Sequence, residues 1–245
     1  MTILQTAFPP VDSAFRAGEL LMGSEVVRSA EALAPTWGSY PLNRALVIVA
    51  AFLVVLFIGE FYRCASDILK YADRWKWAFT IEESIPLARS RDACALLSVL
   101  PLTLVLDRFG VFALPFPTVI PESCGVVITF GILAAWFILR SIIYYLLSPS
   151  SGSSQKFATA KRTERNFVVL MTWVLLLVAG VLSAFNVGDA ASRICIIIVL
   201  CISYVHFLVK KAQILGSFCA PLSTFLYLCA LEIIPTALLV YLCMI

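Results

Sequence analysis

The amino-acid sequence predicts an all-α protein, a polytopic transmembrane bundle of about six helices with an N-terminal amphipathic helix. Of the 245 residues, 61% are apolar and 13% are charged. An ordinary soluble domain has about 45–50% apolar and about 25% charged residues. The mean hydropathy of +0.97 points the same way. This apolar excess is too large for the core of one soluble domain, so the chain is expected to contact a lipid bilayer.

Composition and motifs also exclude several functional classes. The net charge is only +3 and the basic residues are not pooled in one patch, which argues against a nucleic-acid partner. The sequence lacks the phosphate-loop, dinucleotide, zinc-protease and nucleophile-elbow motifs. Five of the eight cysteines lie inside apolar stretches, and one histidine cannot complete a Cys/His zinc site. We therefore predict buried free thiols, no metal and no cofactor.

Six apolar stretches account for the predicted spans, because a bilayer core of about 30 Å needs about 20 mostly apolar residues per helix. The stretches are residues 45–62, 93–106, 125–147, 166–185, 194–209 and 218–244. The second stretch is short, since Asp107 and Arg108 interrupt it. It either begins earlier, near Pro86, or continues through residues 111–116.

The distribution of basic residues predicts the orientation. Three segments on one side of a six-span chain hold twelve basic residues, including all six lysines, against five on the other side. These segments are the loop 63–92, the linker 148–165 and the link that carries Lys210 and Lys211. Because Lys/Arg-rich short loops stay cytoplasmic, both termini are predicted to be extracytoplasmic.

The first 43 residues form a predicted extracytoplasmic arm, followed by a transmembrane domain over residues 44–245. Spaced apolar residues between Val11 and Leu33 indicate an amphipathic helix. It lies on the membrane, packs on the bundle or extends as a solvated arm. The linker 148–165 separates two halves of three helices each, and its Ser/Gly/Pro-rich start predicts flexibility.

Glu232 is the sharpest candidate for an intramembrane site. It lies near the middle of the last span, where an ionised group costs about 2.5–3.5 kcal/mol on insertion scales. Thr236 follows one turn later and Tyr227 precedes it. Pro235 cannot donate to the helix ladder, so the carbonyl of Leu231 is expected to be freed. The site is either a proton or cation relay, or a structural carboxylate bonded to another helix.

Two further polar residues complete the candidate site. Arg140 lies in the inner half of the third span, where it either pairs with Glu232 or extends to the inner surface. His206 lies near the inner end of the fifth span, where an interfacial hydrogen-bonding role competes with a catalytic one. We expect Glu232 to face the bundle interior and to meet Arg140, Thr236 or a tyrosine there.

The segment at residues 225–235 reads Phe-Leu-Tyr-Leu-Cys-Ala-Leu-Glu-Ile-Ile-Pro. It resembles the closing signature, Tyr-Leu-Cys-x-Leu-Glu-Ile-x-Pro, of a Bacteroidota family of multi-pass inner-membrane proteins with a domain of unknown function. A basic aromatic segment after the first span, from Phe61 to Trp77, is similar in kind. The resemblance covers residues 42–245 and implies a bacterial inner membrane. It supplies no catalytic residues.

Three functions compete on the sequence alone. The first is a non-catalytic scaffold or accessory subunit of a cell-envelope complex, with a membrane-protein partner or a second copy as its binding partner. Short loops and few intramembrane polar residues favour it. The second is a small proton-coupled transporter that uses Glu232, although carriers usually have several midplane polar groups. The third is a lipid-modifying enzyme, which requires His206, Glu232 and Arg140 to converge.

Overall fold

The computed structural model describes residues 37–112, 124–147, 154–217 and 219–244. Within these ranges the regular structure is helical and contains no strand. The chain divides into two compact units between Tyr40 and Pro41. The first contributes a 3₁₀ turn at Trp37–Ser39, and every helix discussed below belongs to the second. The amphipathic helix predicted between Val11 and Leu33 lies outside the described residues.

The second unit is a series of helices joined by short turns. They are α1 Pro41–Leu56, α2 Ile58–Asp73, α3 Trp77–Glu83, α4 Ile85–Arg108, α5 Gly125–Leu146, α6 Ser154–Ala184, α7 Asp189–Gly216, α8 Pro221–Leu228 and α9 Ile234–Met244. A five-residue π segment, Cys229–Ile233, joins α8 to α9. The all-α prediction is therefore confirmed for the described residues.

Four helical stretches are long and apolar enough to cross a membrane: Gly125–Leu146, Phe157–Ala184, Asp189–Gly216 and Pro221–Tyr241. A fifth arises if α1 and α2 count as one broken span, since their axes differ by 74°. Large apolar side chains remain exposed along these helices, for example Ile198 and Leu177. The helices are thus compatible with lipid contact, while length and apolarity alone give four to five candidate spans and not six.

The predicted second span corresponds to α4, which begins at Ile85 and ends at Arg108. The earlier start near Pro86 is therefore the alternative that the structure adopts. Only 14 uncharged residues separate Asp92 from Asp107, so α4 lacks the long uncharged window of a span exposed to lipid. It packs instead against α1, α2, α3, α5 and α6, and its apolar side chains, such as Leu102 and Leu106, are buried by protein.

The predicted first span is interrupted, because the helix breaks at Phe57 and turns through 74° into α2. Cys64, Ile68 and Tyr71 are buried on one face of α2, at the spacing of an amphipathic helix. This face packs on α4, where the sulfur atoms of Cys64 and Cys94 lie 3.3 Å apart. The seven cysteines whose side chains the structure describes are all free thiols.

Two segments predicted as basic loops are largely helical. The 63–92 segment contains the end of α2, all of α3 and the start of α4. The linker 148–165 is helical from Ser154 onward, as the first three turns of α6. Ala, Lys, Arg, Gln and Glu dominate that stretch and are strong helix formers. The helix therefore begins twelve residues before the predicted span 166–185, because it extends beyond its apolar part.

Lys210 and Lys211 correct the predicted link between the fifth and sixth spans. Both lie within α7, which continues to Gly216, and both are buried. Lys210 donates a hydrogen bond to the carbonyl oxygen of Asp73, the last residue of α2. Cations are favourable at a helix C-terminus, where carbonyl groups lack helical partners. Without these two lysines, the basic residues still number ten against five.

Candidate functional site

Five polar residues from four elements meet inside the bundle, and we call them the buried ion cluster. They are Arg140 and Tyr144 of α5, Glu164 of α6, Lys211 of α7 and Glu232 of the π segment. Arg140, Lys211 and Glu232 have no exposed surface, and Tyr144 has 2%. Burial of this extent requires that each charge find a partner within the protein.

Glu232 is the centre of the cluster, because both of its carboxylate oxygens are bound. The guanidinium Nη2 of Arg140 donates to Oε2, and the Nζ of Lys211 donates to Oε1. The hydroxyl of Tyr144 also donates to Oε1, at 2.8 Å. Two cations and one neutral donor therefore bind one carboxylate, and charge-assisted hydrogen bonds of this kind are the strong ones.

Glu164 balances the remaining charge. Its Oε1 lies 3.1 Å from Nη1 of Arg140, and its side chain is 15% exposed. With Arg140 and Lys211 as cations and Glu164 and Glu232 as carboxylates, the ionised cluster has a net charge of zero. This balance offsets the cost of removing four charges from water, which attraction within an isolated pair does not always repay.

Aromatic rings enclose the two cations on their other sides. The guanidinium carbon of Arg140 lies 4.4 Å from the ring centroid of Trp136 and 5.7 Å from that of Phe207. The Nζ of Lys211 lies 4.6 Å from the Tyr144 ring and 5.1 Å from the Phe207 ring. Cation–π contacts at such distances stabilise a desolvated cation, so the rings replace part of the lost hydration.

The π segment determines how Glu232 enters the cluster. At its end, the N–H of Ile234 donates to the carbonyl oxygen of Cys229, five residues earlier. The next residue, Pro235, has no N–H to continue the ladder. A single π turn inserts an extra residue into a helix and rotates the following side chains, and such turns are frequent at functional sites.

Tyr204 of α7, which is not a member of the buried ion cluster, forms hydrogen bonds with the π segment and with the start of α9. Its hydroxyl donates to the main-chain carbonyl oxygen of Glu232 at 3.0 Å and shares a second hydrogen bond, also 3.0 Å, with the hydroxyl of Thr236. The main-chain carbonyl that accepts a hydrogen bond from another helix is thus that of Glu232. It lies one residue after Leu231, whose carbonyl the position of Pro235 is predicted to free. Glu232 is therefore held by α7 through both its side chain and its backbone.

The structure brings Glu232 and Arg140 together, and the expected contact between them is present. Glu232 faces the protein interior and meets a tyrosine there, Tyr144. Thr236 lies one turn further and is connected to Glu232 through Tyr204. These residues therefore form a packed polar site. Proton transfer through it remains a prediction.

The other two candidate residues lie elsewhere. The ring of Tyr227 is 5.7 Å from that of Phe157, so Tyr227 belongs to the aromatic wall beside the cluster. His206 forms a hydrogen bond with the backbone of Ala72, at the end of α2. The contacts of these described residues do not bring His206 to Glu232 or Arg140, so the convergence required for a lipid-modifying enzyme is absent among them.

Sequence reasoning missed Lys211, Glu164 and Tyr204 as members of this site, and it did not single out Tyr144 as the tyrosine that meets Glu232. Helical spacing was the available signal. On α7, Tyr204, Phe207 and Lys211 are separated by three and four residues and continue to Ile214, which places them on one helix face. Val209 and Ala212, the apolar residues on either side of the Lys210–Lys211 pair, also argue against a loop.

A second ion network lies where α3, α4 and α6 meet. Arg91, only 1% exposed, binds Glu82 and Asp92, and the Nη2 of Arg91 is 2.6 Å from Oδ1 of Asp92. Arg165 binds the other oxygen of Asp92. Arg162 binds the second oxygen of Glu82 at 2.6 Å. Each carboxylate therefore bridges two arginines, and the network links α6 to α3 and to the start of α4.

The arginines of this network change the pKa of Asp92. Burial alone would raise the pKa of Asp92, but the hydrogen bonds from Arg165 and Arg91 outweigh it and hold that pKa below its usual value. Asp92 is therefore ionised in the folded protein at neutral pH. It serves as an acceptor for two cations, which is a structural use of a carboxylate.

In the part of the chain that the structure describes, no three His, Cys, Asp or Glu side chains are grouped so that they could hold a metal ion. No protein-family model, curated protein or solved structure matches the chain. The ion pairs of the buried ion cluster join α5, α6, α7 and the π segment to one another.

Proposed function

We propose that this protein is a non-catalytic integral membrane protein that acts as a scaffold or accessory subunit of a cell-envelope complex. The observation that supports this proposal best is the closure of the buried ion cluster. Both oxygens of Glu232 are bound by Arg140, Lys211 and Tyr144, and the residue has no exposed surface through which a substrate could reach the carboxylate. Such a cluster fixes α5, α7 and the π segment relative to one another.

The proposed protein crosses the membrane six times. Five crossings are the candidate spans given above, with α1 and α2 as one broken span. The sixth is α4, which its length and apolarity alone do not identify as a span. At 24 residues, α4 is about 36 Å long by the helical rise; its first two turns, with Arg91 and Asp92, lie on the cytoplasmic side, and the remaining 16 residues rise about 24 Å through a bilayer core of about 30 Å. Neighbouring helices supply the apolar environment that its short uncharged stretch needs. The π-containing helix from Pro221 to Met244 counts as the last crossing.

The proposed location is a bacterial inner membrane with both termini outside the cytoplasm. Ten basic residues of the two segments 63–92 and 148–165 are assigned to the cytoplasmic side, in agreement with the positive-inside rule. The resemblance of residues 225–235 to a Bacteroidota signature supports the bacterial assignment. The outward-facing apolar side chains of α1, such as Ile48 and Phe52, serve for contact with lipid, a membrane-protein partner or a second copy.

Affinity purification of the full chain in a mild detergent tests the proposed function. A subunit is expected to retain one or a few membrane proteins in fixed stoichiometry after size-exclusion chromatography. The matched control is the Glu232→Gln variant at equal expression, in which loosened helices should reduce partner recovery. If the wild-type chain purifies without any partner at every detergent concentration, the proposal is contradicted.

A proton-coupled transporter is the second candidate, and one observation favours it. Glu164 joins the buried ion cluster and also lines an open cavity between α4, α5 and α6. A proton could therefore pass from the cavity through Glu164 toward Glu232, next to the π segment. Proton uptake by reconstituted vesicles that is lost in Glu164→Gln, with normal folding, would favour the transporter over the scaffold.

A further inference from the structure

The cavity between α4, α5 and α6 has a charged end and an apolar end. Its volume is about 850 Å³, within the range of about 300–1,000 Å³ that is typical of ligand pockets. Asp92, Glu164 and three basic residues of α6 line one part of it. Leu96, Val99 and Phe137 line the other. A cavity of this kind suits an amphipathic ligand.

The charged end has an excess of positive charge. Its cations are Lys161, Arg162 and Arg165, and its carboxylates are Asp92 and Glu164. Arg165 pairs with Asp92, and Glu164 pairs with an arginine behind the cavity wall. Lys161 is exposed and forms no ion pair with any described residue, and its Nζ lies 6.0 Å from the Tyr144 ring. The excess cation therefore faces the cavity without an ion-pair partner among the described residues.

The change from charged to apolar follows the helix axes. On α4, seven residues separate Asp92 from Val99, and on α6 seven residues separate Lys161 from Val168. Each interval corresponds to about 10 Å along a helix. The ion pair between Arg165 and Asp92 sets the charged parts of both helices at one level. The cavity therefore has the polarity of a lipid that lies along the bundle, with its headgroup at the basic end.

We propose that this cavity binds an anionic phospholipid. The headgroup phosphate is bound by Lys161, with Arg162 and Arg165 beside it, and an acyl chain lies along Leu96 and Val99. Arginine and lysine clusters between transmembrane helices on the cytoplasmic side bind anionic headgroups, and guanidinium groups match phosphate oxygens. The apolar walls distinguish a lipid from a free phosphate ion, because only a lipid would cover them.

Native mass spectrometry of the full chain tests the proposal. Detergent-purified protein is mixed with vesicles of equal parts phosphatidylglycerol and phosphatidylethanolamine, and retained lipids are counted. The wild type should retain phosphatidylglycerol preferentially. Lys161→Ala should lower that retention about fivefold, the effect of one basic residue near an anionic headgroup. Leu96→Trp, which narrows the apolar end without changing charge, should lower it as well.

Lys76→Ala is the matched control, because Lys76 is an exposed lysine of the same basic side that does not line the cavity. It should leave retention unchanged. Equal losses in Lys76→Ala and Lys161→Ala would overturn the proposal in favour of general surface attraction. Equal retention of both lipids would overturn it too. Sodium phosphate that raises the melting temperature as much as phosphatidylglycerol does would indicate a free-anion site and refute the lipid assignment.

Discussion

The ammonium group of Lys211 binds the carboxylate of Glu232, although the two residues lie 21 positions apart on different helices and both are completely buried. Neither residue alone is acceptable in an apolar bundle, because an isolated buried charge costs several kcal/mol. Their pairing explains how α7 continues through a lysine pair that would otherwise end a span. It also makes the position of α9 dependent on α7.

The first prediction concerns the charge balance of the buried ion cluster. Among the described residues, Glu232→Gln leaves Arg140 and Lys211 with Glu164 as the one carboxylate of the cluster, so the free energy of unfolding should fall by about 3–5 kcal/mol. The double variant Glu232→Gln with Lys211→Met should recover part of this loss, since it removes a charge of each sign. Thermal unfolding in detergent measures the stability of the single and the double variant. Additive losses in the double variant would contradict the pairing.

Tyr204 provides a second test, of the link to the π segment. Tyr204→Phe removes the donor to the carbonyl of Glu232 and the partner of Thr236. The expected loss is about 1 kcal/mol, as for one or two hydrogen bonds between membrane helices. Tyr241→Phe is the matched control, because Tyr241 is 62% exposed. Equal stability of the two variants would show that the π turn does not need Tyr204.

The ion pairs of Asp92 predict that the stability of the fold depends on pH. The folded-state pKa of Asp92 is lowered, so ionic pairing with Arg165 and Arg91 stabilises the fold above the ordinary carboxyl pKa of about 4. This stabilisation is lost as the pH falls through the lowered folded-state value. Asp92→Asn should lower the melting temperature at neutral pH and have less effect in acid. Asp73→Asn, at an exposed pair with Arg74, should change little at either pH.

The cysteine pair between α2 and α4 gives a test of their packing. Because the sulfur atoms of Cys64 and Cys94 lie 3.3 Å apart, a membrane-permeable oxidant such as diamide should join them in one chain. Mass spectrometry of the peptides should show the loss of two hydrogens, and Cys64→Ser should abolish it. If the exposed Cys201 is oxidised while both buried thiols stay free, the predicted packing is wrong.

Topology is the fifth prediction. Reporter fusions after Gly152 and after Met244 should give a cytoplasmic and an extracytoplasmic signal, respectively, if six crossings place the basic segments inside. A cytoplasmic signal from the C-terminal fusion would contradict the six-span arrangement. It would favour five crossings, with α4 held among its neighbours without crossing the bilayer.

The central pair of the candidate site was predictable, because one ionised residue in a long apolar run must find a partner. Glu232 was identified by that argument, and Arg140 was the cation at a compatible depth on another span. Tyr227 and His206 were less predictable, since an aromatic or a histidine at a helix end has many satisfactory neighbours. Glu164 and Lys211 were missed because each lies beside other charges in sequence, where charged runs usually indicate a solvated segment.

By itself, the sequence determined the all-α class and the apolar helices, since hydropathy and backbone hydrogen bonding depend on local composition. It also determined that Glu232 needs a partner. The tertiary structure decided which partners it has, that Lys211 lies inside α7 and that α4 is covered by other helices. These outcomes depend on which helices are neighbours. The cost of a buried charge is set by groups distant in sequence, which helical periodicity does not encode.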